Sequence, residues 1–169
     1  AAAGIKHVFL SKGSVHAWSP RVLRAGMGAH FMLQIHEQCD LLQLARAFGG
    51  KVIATSHSAV KSVFDADLTG RVALLFGNEG AGLSDALAHA ASVVVAIPMP
   101  GKTESLNAAA AAAICLFERV RQLNAGVAVG GQGVGREEGD ELAEKRIETP
   151  LVTADGGLVN PLRAGQNSV

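Results

Sequence analysis

The chain has 169 residues, with 15 basic and 15 acidic side chains and a formal net charge of zero. That balance excludes a chain-wide basic surface for non-specific nucleic acid binding, although a local patch is compatible with it. Hydrophobic residues make up 49% and aromatics only 4%, with no Tyr, which favours one domain of helices packed on a parallel sheet over a β-sandwich.

Residues 7–11 read as a short buried strand that stops at Lys12-Gly13. Ser19 and Pro20 then open a helix to about Gly26, with Ser19 as N-cap and Pro20 at the first helical position, where a missing N–H costs nothing. Phe31 to Ile35 is expected as the second strand, and Cys39 to Phe48 as an amphipathic helix ended by Gly49-Gly50. Lys51 to Thr55, Val72 to Phe76 and Ser92 to Ile97 give the third, fourth and fifth strands. Ser84 caps a helix through about Ala90, and Ser105 opens a long one reaching about Asn124. Strands alternating with helices at this spacing imply right-handed crossovers and a parallel sheet.

Composition changes after Asn124: all six Phe and the one Trp precede it. Residues 126–135 are Gly-rich, Glu137 to Glu148 is an acidic stretch, and Thr149 to Val169 lacks periodicity. Residues 125–169 are therefore expected to be a flexible extension, dispensable for folding. Cys39 and Cys115 lie far apart in apolar or helical stretches and read as reduced thiols of a cytoplasmic protein. No apolar run reaches membrane-spanning length, and Ala1-Ala2-Ala3-Gly4 lacks the features of a signal peptide. No His or Cys spacing fits a metal site.

Two segments concentrate the chemistry. Leu74-Leu75-Phe76-Gly77-Asn78-Glu79-Gly80 and Ile97-Pro98-Met99-Pro100-Gly101-Lys102-Thr103-Glu104-Ser105-Leu106-Asn107 each run from an apolar strand into a Gly- or Pro-rich loop and then a helix. At the end of a parallel strand, such loops offer main-chain N–H and C=O groups to a ligand without side-chain interference. Taken alone, the first is an ordinary strand-to-helix turn with a solvated Glu79, and Ser105 and Asn107 are polar residues at a helix start. Together they make a small-molecule site with a carboxylate, a hydroxyl and an amide converging on it.

In residue type, order and spacing, this pair closely resembles the second and third signature motifs of the SpoU (TrmH-like) RNA ribose 2′-O-methyltransferases, a family of the SPOUT superfamily. The resemblance covers residues 1–124. It implies an α/β fold, with a mostly parallel sheet, helices on both faces and a trefoil knot. It implies S-adenosyl-L-methionine as cofactor, bound at Gly77, Ile97 and Leu106, with Met99 and Thr55 nearby. Glu79, Ser105 and Asn107 are the implied active-site side chains, Asn107 orienting a hydroxyl and Glu79 fixing the loop or a basic partner. The implied reaction is methyl transfer to a ribose 2′-hydroxyl of tRNA or rRNA, by a homodimer with no metal. Arg21 and Arg24 are either a solvated helix face or contacts to RNA phosphates, which Arg binds bidentately.

The sequence departs from the family pattern at one point. A first motif with an upstream Asn and a catalytic Arg has no counterpart here: Ala1–Gly4 resembles the helix just after that Arg, and the first strand is missing with it. Asn160-Pro161-Leu162-Arg163-Ala164-Gly165 echoes the motif only in the wrong order. The alternative reading is thus a non-catalytic RNA- or S-adenosylmethionine-binding module.

Overall fold

The computed structural model describes residues 1–78, 82–102, 105–128 and 151–154. Seven strands join in one sheet: β1 (His7–Ser11), β2 (Gln34–Cys39), β3 (Lys51–Thr55), β4 (Lys61–Ser62), β5 (Val72–Phe76), β6 (Val93–Ala96) and β7 (Leu151–Ala154). Their order is β2-β1-β7-β5-β3-β6-β4, and all the neighbouring pairs run parallel. The helices are α1 (Pro20–Gly26), α2 (Leu41–Ala47), α3 (Asp85–Ala90) and α4 (Ala108–Ala128).

Alternation along the strands divides the core between the two faces. Ile53, Val72, Leu74, Phe76 and Val95 pack on one side with Val63, Ala66 and Leu68 and with Cys115 of α4. Val52, Ala54, Ala73 and Leu75 pack on the other with Leu41 and Ala45 of α2 and Leu87 of α3. A parallel sheet covered on both faces is the α/β architecture the sequence predicts. Each fully buried Leu or Val side chain contributes about 1.5–3 kcal/mol, so β5, buried at all its positions, anchors the domain. Burial also pushes the Cys115 thiol up to about 12, which keeps it protonated.

Polar side chains of α4 fasten it to the segment before β5. The Gln122 amide donates to the Ala66 carbonyl at 2.9 Å, and its oxygen accepts from the Leu68 N–H at 2.8 Å. Buried Arg119 donates to the Gly70 carbonyl at 2.9 Å, and desolvation lowers its pKa. Glu118, also buried, accepts two 2.8 Å bonds from Arg121, which hold its carboxyl below its ordinary value.

Several expectations need correction. The second strand is Gln34–Cys39 rather than Phe31–Ile35, and Phe31 belongs to a 3₁₀ turn and is 90% exposed. The helix read as beginning at Cys39 begins at Leu41, capped by the Asp40 side chain on the Gln43 N–H at 3.0 Å. Lys61–Ser62 is a two-residue strand too short to announce itself. Of residues 125–169, 125–128 continue α4 to Ala128 and Leu151–Ala154 form a strand inside the sheet, between β1 and β5; the rest of the expected extension lies outside the described residues. Main-chain pairing on both edges holds these four residues in the sheet without a long apolar run.

Candidate active site

A cavity of about 890 Å³ opens where β3, β5 and β6 end. Carboxyl ends of parallel strands are where the loops of such a sheet gather, and where ligands of open α/β sheets bind. Three loops build its walls. Thr55, Ser56, His57 and Ser58 follow β3, while Phe76, Gly77 and Asn78 end β5, with Gly82 and Leu83 returning beside them. Ile97, Ser105 and Leu106 complete it on the approach to α4, together with Ala108 and Ala111 of that helix.

The loop after β5 is held tight. Asn78 and Gly82 form an isolated antiparallel bridge, with the Gly82 N–H donating to the Asn78 carbonyl at 3.1 Å. Gly77 lies directly against the Gly82–Leu83 peptide, and a Cβ there would fall on the Gly82 carbonyl carbon and the Leu83 nitrogen. The glycine is thus required by close approach of main chain to main chain. On the neighbouring strand, the Thr55 hydroxyl donates to the Leu75 carbonyl at 3.1 Å, tying β3 to β5 at the rim.

The residues proposed from sequence separate here. Gly77, Ile97, Leu106, Thr55 and Ser105 all line the cavity. Asn107 stands just outside the wall as the helix cap: its Oδ1 accepts from Ala109 N–H at 2.8 Å and from Ala110 N–H at 3.3 Å. This corrects the expectation that Ser105 opens the helix, because a side-chain acceptor at residue 107 satisfies the first free N–H groups of α4. Met99 is half-buried and is not among the lining residues. Glu79 lies outside the described residues. Arg21 and Arg24 are exposed on α1, which follows β1 in the chain, and neither is among the lining residues.

The cavity also contains side chains that sequence reasoning did not assign. Ser56, His57 and Ser58 line it, as does Asp85 at the start of α3, and His57 and Asp85 are the ionisable groups among the described lining residues. Their position just past a parallel strand, or at the helix start after one, was the available signal. The walls combine aliphatic surface with hydroxyls and main-chain groups, a lining suited to a ligand with both flat apolar and polar parts.

Comparison with known proteins agrees with this geometry. Residues 1–117 match the model of the SpoU rRNA Methylase family. A 23S rRNA (guanosine-2′-O-)-methyltransferase RlmB from Burkholderia sp is 44% identical over 88 residues, which is 48% of this chain and 36% of that protein. The 23S rRNA (uridine(2479)-2′-O)-methyltransferase of Streptomyces viridochromogenes is 35% identical over 129 residues, 72% of this chain and 45% of that one. The SpoU methyltransferase AviRb from Streptomyces viridochromogenes, solved in complex with AdoMet, superposes with a TM-score of 0.66 at 33% identity, covering 73% of this chain and 52% of that one. The chain thus spans less than half the length of either curated relative. With the paired loops in place on a parallel sheet, the chain belongs to the SpoU rRNA Methylase family.

Proposed function

We propose that this chain is a methyltransferase domain that binds S-adenosylmethionine in the cavity and transfers its methyl group to a ribose 2′-hydroxyl of tRNA or rRNA. The observation that carries the reading is the convergence of Gly77, Ile97 and Leu106 on one cavity at the carboxyl ends of β5 and β6. Main-chain groups at these three residues would hold the adenosine, with Thr55 at the rim beside them. When bound, the donor supplies an electrophilic methyl on a sulfonium centre. The chain's part is to hold the ribose hydroxyl in line with it and to favour charge developing on the oxygen. Ser105 in the wall and Asn107 beside it are the side chains assigned to that task, together with Glu79, which follows Asn78 in sequence. Asn107 uses its carbonyl oxygen as a cap, which leaves the amide NH₂ as the group that would donate to the hydroxyl.

Arg21 and Arg24, exposed three residues apart on α1, would meet RNA phosphates. The functional unit is a homodimer in this reading. Its support is the exposed face of α4, where Ala109, Ala110, Ala113 and Phe117 follow helical spacing and permit close approach of a second helix. The trefoil knot and a cytoplasmic location belong to the same proposal. Among the described residues, no helix is long and apolar enough to cross a membrane.

The test is methyl transfer from tritiated S-adenosylmethionine to tRNA and to ribosomal RNA, followed by nuclease digestion and identification of 2′-O-methylated nucleosides. Calorimetric titration with S-adenosylhomocysteine runs beside it. Label in a ribose-methylated nucleoside supports the proposal. Binding without transfer supports a donor-binding module, and absence of both overturns the assignment of the cavity.

A further inference from the structure

The sheet falls into two parts that do not pair with each other. β1 and β2 form one, and β5, β3, β6 and β4 form the other. They are joined in the sheet by β7, whose residues Leu151 to Ala154 pair with His7 to Leu10 on one edge and with Ala73 to Phe76 on the other. Removing β7 leaves two facing strand edges about 9.6 Å apart, a slot one strand wide. Each edge would then expose unpaired N–H and C=O groups, and a parallel extended segment satisfies both at once. The larger part carries a core on each face, built with α2, α3 and α4, and Phe9 of β1 and Cys39 of β2 pack at the margin of the one that α2 and α3 cover. Residues 129–150, including Gly130, Gly131, Gly133, Gly135 and Gly139, separate β7 from α4 in sequence.

From this arrangement we infer that the cleft between β1 and β5 is a strand-acceptor site, whose occupant is the separable segment Leu151–Ala154 of this chain. The slot accepts the same segment from outside when the tethered copy is prevented from pairing. Recognition is by the main chain, with register fixed at His7–Leu151 and at Ala73–Leu151.

The experiment uses the full chain carrying Val152→Pro. Proline at that position removes a ladder N–H and cannot sit in a central strand. Amide hydrogen exchange is followed by mass spectrometry in the parent and the variant, each alone and with a peptide of residues 149–156. The peptide is added at a concentration on the order of millimolar, the level at which an untethered segment stands in for a covalently joined one. In the variant, amides of β1 and β5 should exchange at least tenfold faster than in the parent, while those of β3 and β6 keep their protection. The peptide should restore β1 and β5 in the variant, a scrambled peptide should not, and the parent should be unaffected because its slot is filled. Unchanged protection of β1 and β5 in the variant overturns the inference. So does loss of protection throughout β3 and β6, which would make β7 an inseparable part of the core, or failure of the peptide to restore the variant.

Discussion

Gly77 lies against the Gly82–Leu83 peptide with no space for a side chain between them. The end of β5 and the returning loop are therefore one unit, and the cavity wall depends on their contact. Gly77→Ala must push that peptide away, a main-chain shift that costs about 1–3 kcal/mol. Calorimetry with S-adenosylhomocysteine should show affinity reduced at least tenfold, and the variant should melt several degrees lower. Parent-like affinity in this variant would remove the loop from the binding site.

Asn107 holds the start of α4 with its carbonyl oxygen, so replacing it can disturb structure and chemistry together. Asp keeps the capping oxygen and discards the amide, whereas Ala discards both and costs about 1 kcal/mol of helix stability. Asn107→Asp should melt close to the parent and bind donor within a few-fold, yet transfer methyl groups about two orders of magnitude more slowly. Turnover equal to the parent would reduce Asn107 to a cap.

Gln122 satisfies two main-chain groups of a segment in which Leu68 is fully buried. Gln122→Leu fills similar space but strands the Leu68 N–H and the Ala66 carbonyl. Each unsatisfied buried group costs about 1–3 kcal/mol. At about 2–4 °C per kcal/mol for a chain of this size, thermal melts should fall by several degrees. A melting temperature within one degree of the parent would mean that α4 is fixed by its apolar face alone.

His7, Phe9 and His36 stack across β1 and β2, with the His7 Nδ1 3.4 Å from His36 Nε2. Burial, then the charge of His36 and of Lys6, lowers the His7 pKa below its ordinary value. The unfolded chain therefore takes up a proton at a higher pH than the folded one. By linkage, stability is full above about pH 6.5 and declines as the pH falls toward the folded value. Urea melts between pH 7.5 and 5.5 should show this decline, and His7→Phe should flatten it while keeping the stack. An equal decline in both proteins would assign it to other groups.

How much of this was legible in the sequence varied with burial. β3 follows Gly50 and stops before Ser56, and β5 is an apolar run after Gly70-Arg71 that stops before Gly77, so their bounds follow directly from the pattern. β2 is an edge strand, Gln-Ile-His-Glu-Gln-Cys, paired on one side only, so it needs no apolar run; the more hydrophobic Phe31 and Met32 just before it are exposed. β7 was invisible for a different reason: four residues carry no measurable period, and what makes them a strand is the pair of edges awaiting them. At the cavity, Gly77, Ile97 and Leu106, which the family resemblance implied as binding residues, are lining residues, and so are His57 and Asp85, which follow the ends of strands.

The pairing of His7 with Leu151 spans nearly the whole chain. Contacts so distant in sequence are slow to form, because the intervening chain must first be brought into place. During synthesis at about 5–20 residues per second, β1 leaves the ribosome well before β7 and has one edge uncovered for several seconds. The cavity loops at Gly77 and Ile97 are made in that interval, beside a β5 edge that is also still open. Closure of these two edges is thus timed by translation of β7, and any stall before residue 151 prolongs the stage at which they are open to pairing with other chains.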